Sequence, residues 1–140
     1  MIRKLAKKDF NNKYLDLLDQ LSSTNQENFT YDKFELFINQ LNNNHNIYVI
    51  EKNNKIIASG TLLIENKIIH NFGKVGHIED IVVDFNERGS GLGKLMINYL
   101  IETAKNLNCY KIILNCNEKL ITYYEKYGFS QKNVQMAIYF

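Results

Sequence analysis

The stretch from Ile81 to Leu107 restricts the fold more than any other part of the chain. An apolar, β-rich run, Ile81-Val82-Val83, leads into Arg88-Gly89-Ser90-Gly91-Leu92-Gly93, and a helical apolar period starts at Leu92 and continues to Leu107. A strand that hands directly to a long helix suits a crossover to a further strand, as in a mixed sheet with helices packed on its faces. Three glycines in five positions let the loop backbone turn its N–H groups inward, and the helix start adds partial positive charge. The predicted ligand of this loop is a phosphate or diphosphate, carried by a nucleotide-like cofactor. Arg88 opens the loop, and Arg3 is the only other arginine, so a planar guanidinium stands where bidentate phosphate contact is useful.

The remaining elements follow from periodicity and turn residues. Met1 to Leu5 reads as a short strand; Leu15, Leu18 and Leu21 recur at helical spacing; Phe34, Phe37, Ile38 and Leu41 do so again after Thr30, a suitable N-cap. Ile47 to Glu51 and Ile56 to Glu65 read as strands joined by a hairpin at Asn53-Asn54, and Gly76 to Asp84 as a third. After the long helix come a strand over Lys111 to Asn115, a helix over Glu118 to Lys126 and a last strand from Phe129 onward. The predicted order is β-α-α-β-β-β-α-β-α-β, an α/β (α+β) fold with a mixed, mostly antiparallel central sheet and helices on both faces. In His77-Ile78-Glu79-Asp80-Ile81-Val82-Val83 the alternation holds through Asp80 and then gives way to consecutive apolar residues. A β-bulge would explain the switch and would free backbone groups for a ligand. A strand buried on both faces near its end would read the same way.

With 140 residues and 45% apolar content the chain is read as one domain, 1–140, able to bury a substantial core without disulfide or metal support. Cys109 and Cys116 lack metal-ligand spacing and read as inert core thiols in a reducing compartment. His70 and His77 read as hydrogen-bonded structural histidines, and no metal is expected. A net charge of +2 without a basic face argues against nucleic acid, and no apolar run approaches a membrane span or a signal peptide. The expected setting is cytoplasmic.

Arg88-x-x-Gly91-x-Gly93 between strand and helix, followed by Tyr123-Tyr124-Glu125-Lys126-Tyr127-Gly128-Phe129, resembles the GNAT superfamily of N-acetyltransferases. Within it, Lys67-Ile68-Ile69-His70, Gly76-His77-Ile78-Glu79-Asp80-Ile81, Gly91-Leu92-Gly93-Lys94-Leu95 and Asn108 to Cys116 occur in the order found in the glucosamine 6-phosphate N-acetyltransferases. The resemblance implies acetyl-CoA as cosubstrate and direct attack by the sugar 2-amino group in a ternary complex, a step towards UDP-N-acetylglucosamine. It places Ile81, Val82, Val83, Arg88, Gly89, Ser90, Gly91, Leu92, Gly93, Lys94, Asn115 and Tyr124 on the cofactor. Ser22, Lys67, Ile68, Ile69, His70, Glu79, Asp80 and Ile81 fall to the acceptor, with Asp80 orienting the amine and Tyr124 serving the departing sulfur. It also implies a homodimer formed through the C-terminal strand, whose alternating apolar residues would otherwise form an open edge. Three residues depart from the pattern: Asn115 stands for an acidic residue, Leu120 for an asparagine and Tyr139 for an arginine. Two other readings stay open, an acetyltransferase for another small amine and a CoA-binding module without catalysis.

Overall fold

A computed structural model describes residues 1–11 and 13–140. Five strands, β1 (Ile2–Lys4), β2 (His45–Lys52), β3 (Lys55–Asn66), β4 (Lys74–Val83) and β5 (Cys109–Ile113), form one sheet in chain order. β1 to β4 pair antiparallel, and β5 lies parallel to β4. Parallel pairing requires a crossover, which α4 (Leu92–Asn106) supplies. The other helical segments are α1 (Tyr14–Asp19), α2 (Tyr31–Gln40), the single turn α3 (Ile69–Phe72) and α5 (Ile121–Glu125).

Alternation along β2 sorts the core into two layers. Ile47 and Val49 face α1 and α2 with Leu5, Tyr14, Leu17 and Phe34, whereas Tyr48 and Ile50 face α4 with Leu62, Met96 and Leu100. The central strand β3 is therefore buried on both sides: Ile56 and Leu62 lose all exposure, as do Met96, Ile97 and Leu100 on α4. Burying each such side chain contributes about 1.5–3 kcal/mol. Local chemistry sets the boundaries. Thr30 Oγ1 accepts from the Lys33 N–H at the start of α2, and Asn53 and Asn54 take φ of 51° and 58° at the β2–β3 turn, the left-handed pair a two-residue hairpin demands.

The bulge reading of β4 is the correct one. Ser59 pairs with Val82 and Thr61 with Glu79, so Asp80 and Ile81 together oppose Gly60, and Asp80 has φ of 51°. Gly60 is required there, because a Cβ would lie 2.7 Å from Ile81 Cδ1 and 3.0 Å from Met96 Cγ.

Three expectations need correction. The last strand, from Phe129 onward, is not part of the sheet: residues 129–140 form no ladder, and Val134, Met136, Ile138, Tyr139 and Phe140 are each more than four-fifths exposed. Alternation alone cannot make a strand; the tail lacks a partner edge within its own chain. β5 spans Cys109–Ile113, two residues earlier than expected, and Asn115 lies beyond its end. Cys116 is exposed and so is not a core thiol, whereas Cys109 is half-buried and packs against the core layer under α4.

Candidate active site

The sheet opens where β5 stops. The parallel ladder ends at His77 opposite Ile113, and β4 continues through Ile78–Val83 with no strand of the described residues on that side. The bulge at Asp80 lies on this unpaired stretch, so its backbone groups are available to an extended ligand. Asp80 is exposed and Glu79 half-buried beside it.

At the far end of β4 the chain makes a short 3-10 turn, Phe85–Glu87, and then the glycine loop. Gly89 and Gly91 have φ of 81° and 87°, a conformation costly for any residue with a Cβ, and no heavy atom lies within 4 Å of where a Cβ would project. Gly91 caps α4 without any side-chain hydrogen bond, so the first N–H groups of a 15-residue helix are left for a ligand. Empty space over both glycines together with an uncapped helix start fits a diphosphate. The Arg88 guanidinium donates from Nε to the Val83 carbonyl at 3.1 Å and lies over the Phe85 ring, 5.4 Å from its centroid. Ser90 Oγ donates to the Glu87 carbonyl, which closes the loop's own turn. Lys94 is exposed one turn into α4, while Leu92 is half-buried against the core.

α5 brings its aromatic rings to the head of α4. A Cβ on Gly93 would lie 2.7 Å from the Tyr123 hydroxyl, so the absence of a side chain there lets α5 dock. Tyr124 packs edge-on to Tyr123 at 5.2 Å and to Phe129 at 5.9 Å, which fixes its ring. Burial, reinforced by the negative potential of Cys116 and Tyr127, pushes the Tyr124 hydroxyl above its ordinary pKa. It therefore stays a proton donor at neutral pH. Asn115 lies exposed in the segment between β5 and α5.

Besides Glu79, Asp80 and Ile81 on β4, the acceptor-side residues fall on two further segments. Lys67 begins the turn between β3 and β4, closed by its N–H donating to the Gly73 carbonyl at 2.8 Å; Ile68 and Ile69 are exposed at its tip. His70, Asn71 and Phe72 all have positive φ, a run of strained residues that packing must hold. Tyr110 does so, with its ring 4.4 Å from His70 and its Cδ1 2.8 Å from where a Gly73 Cβ would be. Lys67 Nζ meets Glu65 at 2.5 Å, and the same carboxylate accepts a hydrogen bond from His77 Nε2 at 2.8 Å. The Lys67 hydrogen bond, then that of His77, holds the Glu65 carboxyl below its usual range, and Glu65 in turn raises Lys67. Ser22 lies exposed in the turn after α1, its N–H bonded to the Leu18 carbonyl. On the α1 face, burial pushes the Tyr14 hydroxyl up to about 12 despite its 3.2 Å hydrogen bond with Ser59, and the Asp80 charge adds to the rise.

Glu65, Tyr110 and Tyr123 escape sequence reasoning: each reads as an ordinary charged or aromatic residue until the fold sets it against Lys67, His70 or Gly93. Among the described residues no group of three or more His, Cys, Asp or Glu could hold a metal. Among the same residues no helix is long and apolar enough to cross a membrane.

A bulged strand splayed from its parallel neighbour, ending in an anion loop at a helix start, is the arrangement of an acyl-CoA-dependent acyltransferase. The chain belongs to the acetyltransferase (GNAT) family, which it matches over residues 7–129. It is 41% identical over 142 positions to the glucosamine 6-phosphate N-acetyltransferase of Arabidopsis thaliana, covering 99% of this chain and 95% of that one. It is 43% identical over 136 positions to glucosamine 6-phosphate N-acetyltransferase 1 of Dictyostelium discoideum, covering 94% and 85%. The crystal structure of the Arabidopsis enzyme superposes with a TM-score of 0.88 over 100% of this chain and 97% of that one. A Trypanosoma brucei acetyltransferase at 31% identity gives 0.84 over 100% and 99%.

Proposed function

We propose that the protein transfers the acetyl group of acetyl-CoA to the 2-amino group of glucosamine 6-phosphate. The observation that carries this reading is the gap beside β4, with a bulge at Asp80 at one end and an open anion cradle at the other. The relatives named for this reaction cover nearly the whole chain.

The cradle of Arg88 to Lys94 and the head of α4 hold the diphosphate, so the pantetheine arm runs along Ile81, Val82 and Val83 in place of a missing strand. Acetyl-CoA supplies the activated carbonyl; the protein supplies orientation and charge placement. The Asp80 carboxylate and nearby backbone carbonyls accept hydrogen bonds from the acceptor's amine once it has released a proton to solvent. The neutral amine attacks the thioester carbonyl, and an N–H of the Ile81–Val83 backbone donates to the developing oxyanion. As the C–S bond breaks, the Tyr124 hydroxyl gives its proton to the departing sulfur, so coenzyme A leaves as the thiol; the extra proton on the new amide nitrogen passes to solvent, and solvent returns one to the Tyr124 oxygen. Lys67, His70 and Ser22 meet the sugar phosphate, with Ile68, Ile69 and Glu79 lining the approach.

The exposed apolar tail over residues 134–140 supports pairing with a second copy, which would cover Val134, Met136, Ile138 and Phe140. The test is thiol release from acetyl-CoA with glucosamine 6-phosphate, glucosamine 1-phosphate and free glucosamine in parallel. Preference for the 6-phosphate supports the reading. Turnover on unrelated amines but not on the 6-phosphate would redirect it, and binding without turnover on any amine would leave a carrier module.

A further inference from the structure

A buried carboxylate lies at the root of the anion loop, where an uncompensated negative charge would oppose the ligand. Asp84, only 1% exposed, immediately precedes the 3-10 turn that ends at Arg88. Its Oδ1 accepts from the Asn86 N–H at 3.0 Å, and its own N–H donates to the Ile57 carbonyl at 2.8 Å. Oδ2 receives Lys55 Nζ at 2.7 Å from the start of β3 and Gln20 Nε2 at 3.3 Å from the end of α1. The Gln20 amide is used twice, because its Oε1 accepts the Phe85 N–H at 2.7 Å. A second lysine of the hairpin, Lys52, meets Glu87 at 2.9 Å. The turn is thus tied to α1 and to the β2–β3 hairpin before the chain reaches Arg88, whose guanidinium rests on Phe85 and Val83.

We infer that Gln20, Asp84 and Lys55 form a clasp that positions Arg88 and the glycine loop for the donor's diphosphate. None of the three need touch the donor; they are positioning residues, acting by removing the loop's freedom before binding. The Lys55 ammonium offsets the Asp84 charge, so the fold keeps the anchoring without the repulsion. Gln20 also fastens the segment that continues into Ser22, so the donor loop and the turn after α1 share one fixed point. The inference rests on the reading of residues 88–94 as a diphosphate cradle.

The test compares two donors that carry the same thioester, acetyl-CoA and S-acetylpantetheine, of which only the first has the diphosphate. For each enzyme the ratio of kcat/KM for acetyl-CoA to that for S-acetylpantetheine is measured. Gln20→Met, on an exposed side chain, keeps the length and removes both hydrogen bonds; the ratio should fall roughly five- to tenfold, the size expected for losing two preorganising hydrogen bonds. Lys55→Met should lower it further. Asp84→Asn gives a second reading: removing the negative charge should tighten coenzyme A binding if charge alone matters, and weaken it if the clasp sets the geometry. An unchanged ratio in Gln20→Met, equal losses on both donors, or tighter coenzyme A binding by Asp84→Asn overturns the inference. Arg88→Ala is the reference. If it lowers the ratio and Gln20→Met does not, only the clasp fails; if Arg88→Ala leaves the ratio unchanged, the cradle reading fails and the clasp with it.

Discussion

Replacing Gly93 by alanine isolates how the head of α4 governs the position of α5. Gly93 is helical with no positive φ, so alanine meets no backbone strain and gains up to about 1 kcal/mol of helix propensity. Against this, its Cβ would lie 2.7 Å from the Tyr123 hydroxyl, and ordinary contact begins at 3.4 Å, so the hydroxyl must retreat by about 0.7 Å. Such overpacking typically costs about 1–3 kcal/mol. The net destabilisation is about 0–3 kcal/mol, or a fall of up to roughly 12 °C in the thermal midpoint for a domain of this size. Turnover is expected to fall as well. Tyr123 packs on Tyr124 at 5.2 Å, so its displacement moves the proposed acid, and misplacement on the order of 1 Å can cost up to ~100-fold. We expect kcat to fall about tenfold or more. Adding Tyr123→Phe removes the clashing oxygen, leaving Val83 Cγ2 at 3.9 Å and the ring Cζ at 4.0 Å as the nearest atoms, both ordinary contacts. The double variant should therefore recover most of the loss in steady-state kinetics and in thermal melts. If Gly93→Ala with Tyr123→Phe is no better than Gly93→Ala alone, the hydroxyl contact does not hold α5 in place. A rise confined to the KM for acetyl-CoA would instead point to a Cβ obstructing the cradle.

Tyr124→Phe keeps the ring and its packing; turnover should drop at least ~100-fold with coenzyme A affinity nearly unchanged by calorimetry, and unaltered turnover would remove Tyr124 from the chemistry. Because burial raises the Tyr124 pKa above its ordinary value near 10, kcat of the native enzyme should not decline between about pH 7 and 9 through loss of this proton. The hydrogen bond from Lys55, opposed by burial and aided by the Asn86 N–H and Gln20, holds Asp84 below the ordinary carboxylate range. A lowered folded pKa means its stabilisation is present above about pH 4 and is lost as pH falls through the folded value, so Asp84→Asn should flatten the acid side of a plot of melting temperature against pH. Deleting residues 134–140 should convert a dimer to a monomer in sedimentation velocity and weaken acceptor binding; a full-length chain that sediments as a monomer at working concentration would refute the pairing.

Sequence alone fixed what depends on near neighbours. The strand, glycine loop and helix over 81–107 lie where periodicity put them, because chain direction, left-handed glycines and a helix start are properties of a few consecutive residues. The Asn53-Asn54 turn is local in the same way; the break in alternation at Asp80 marked the place, but only the β3–β4 register chose a bulge over a strand end buried on both faces. The parts decided only by tertiary structure join residues far apart. Gln20 reaches Asp84 and Phe85 across more than sixty positions, Lys55 meets Asp84 across 29, and Tyr123 meets Gly93 from another helix. A glutamine at a helix end or a lysine after a hairpin carries no sign of such a partner, since its role depends on the packing of whole elements. The tail shows the converse. Its alternation is a genuine strand pattern, yet pairing requires an edge that hydrogen bonds can reach, and within one chain residues 129–140 do not meet one.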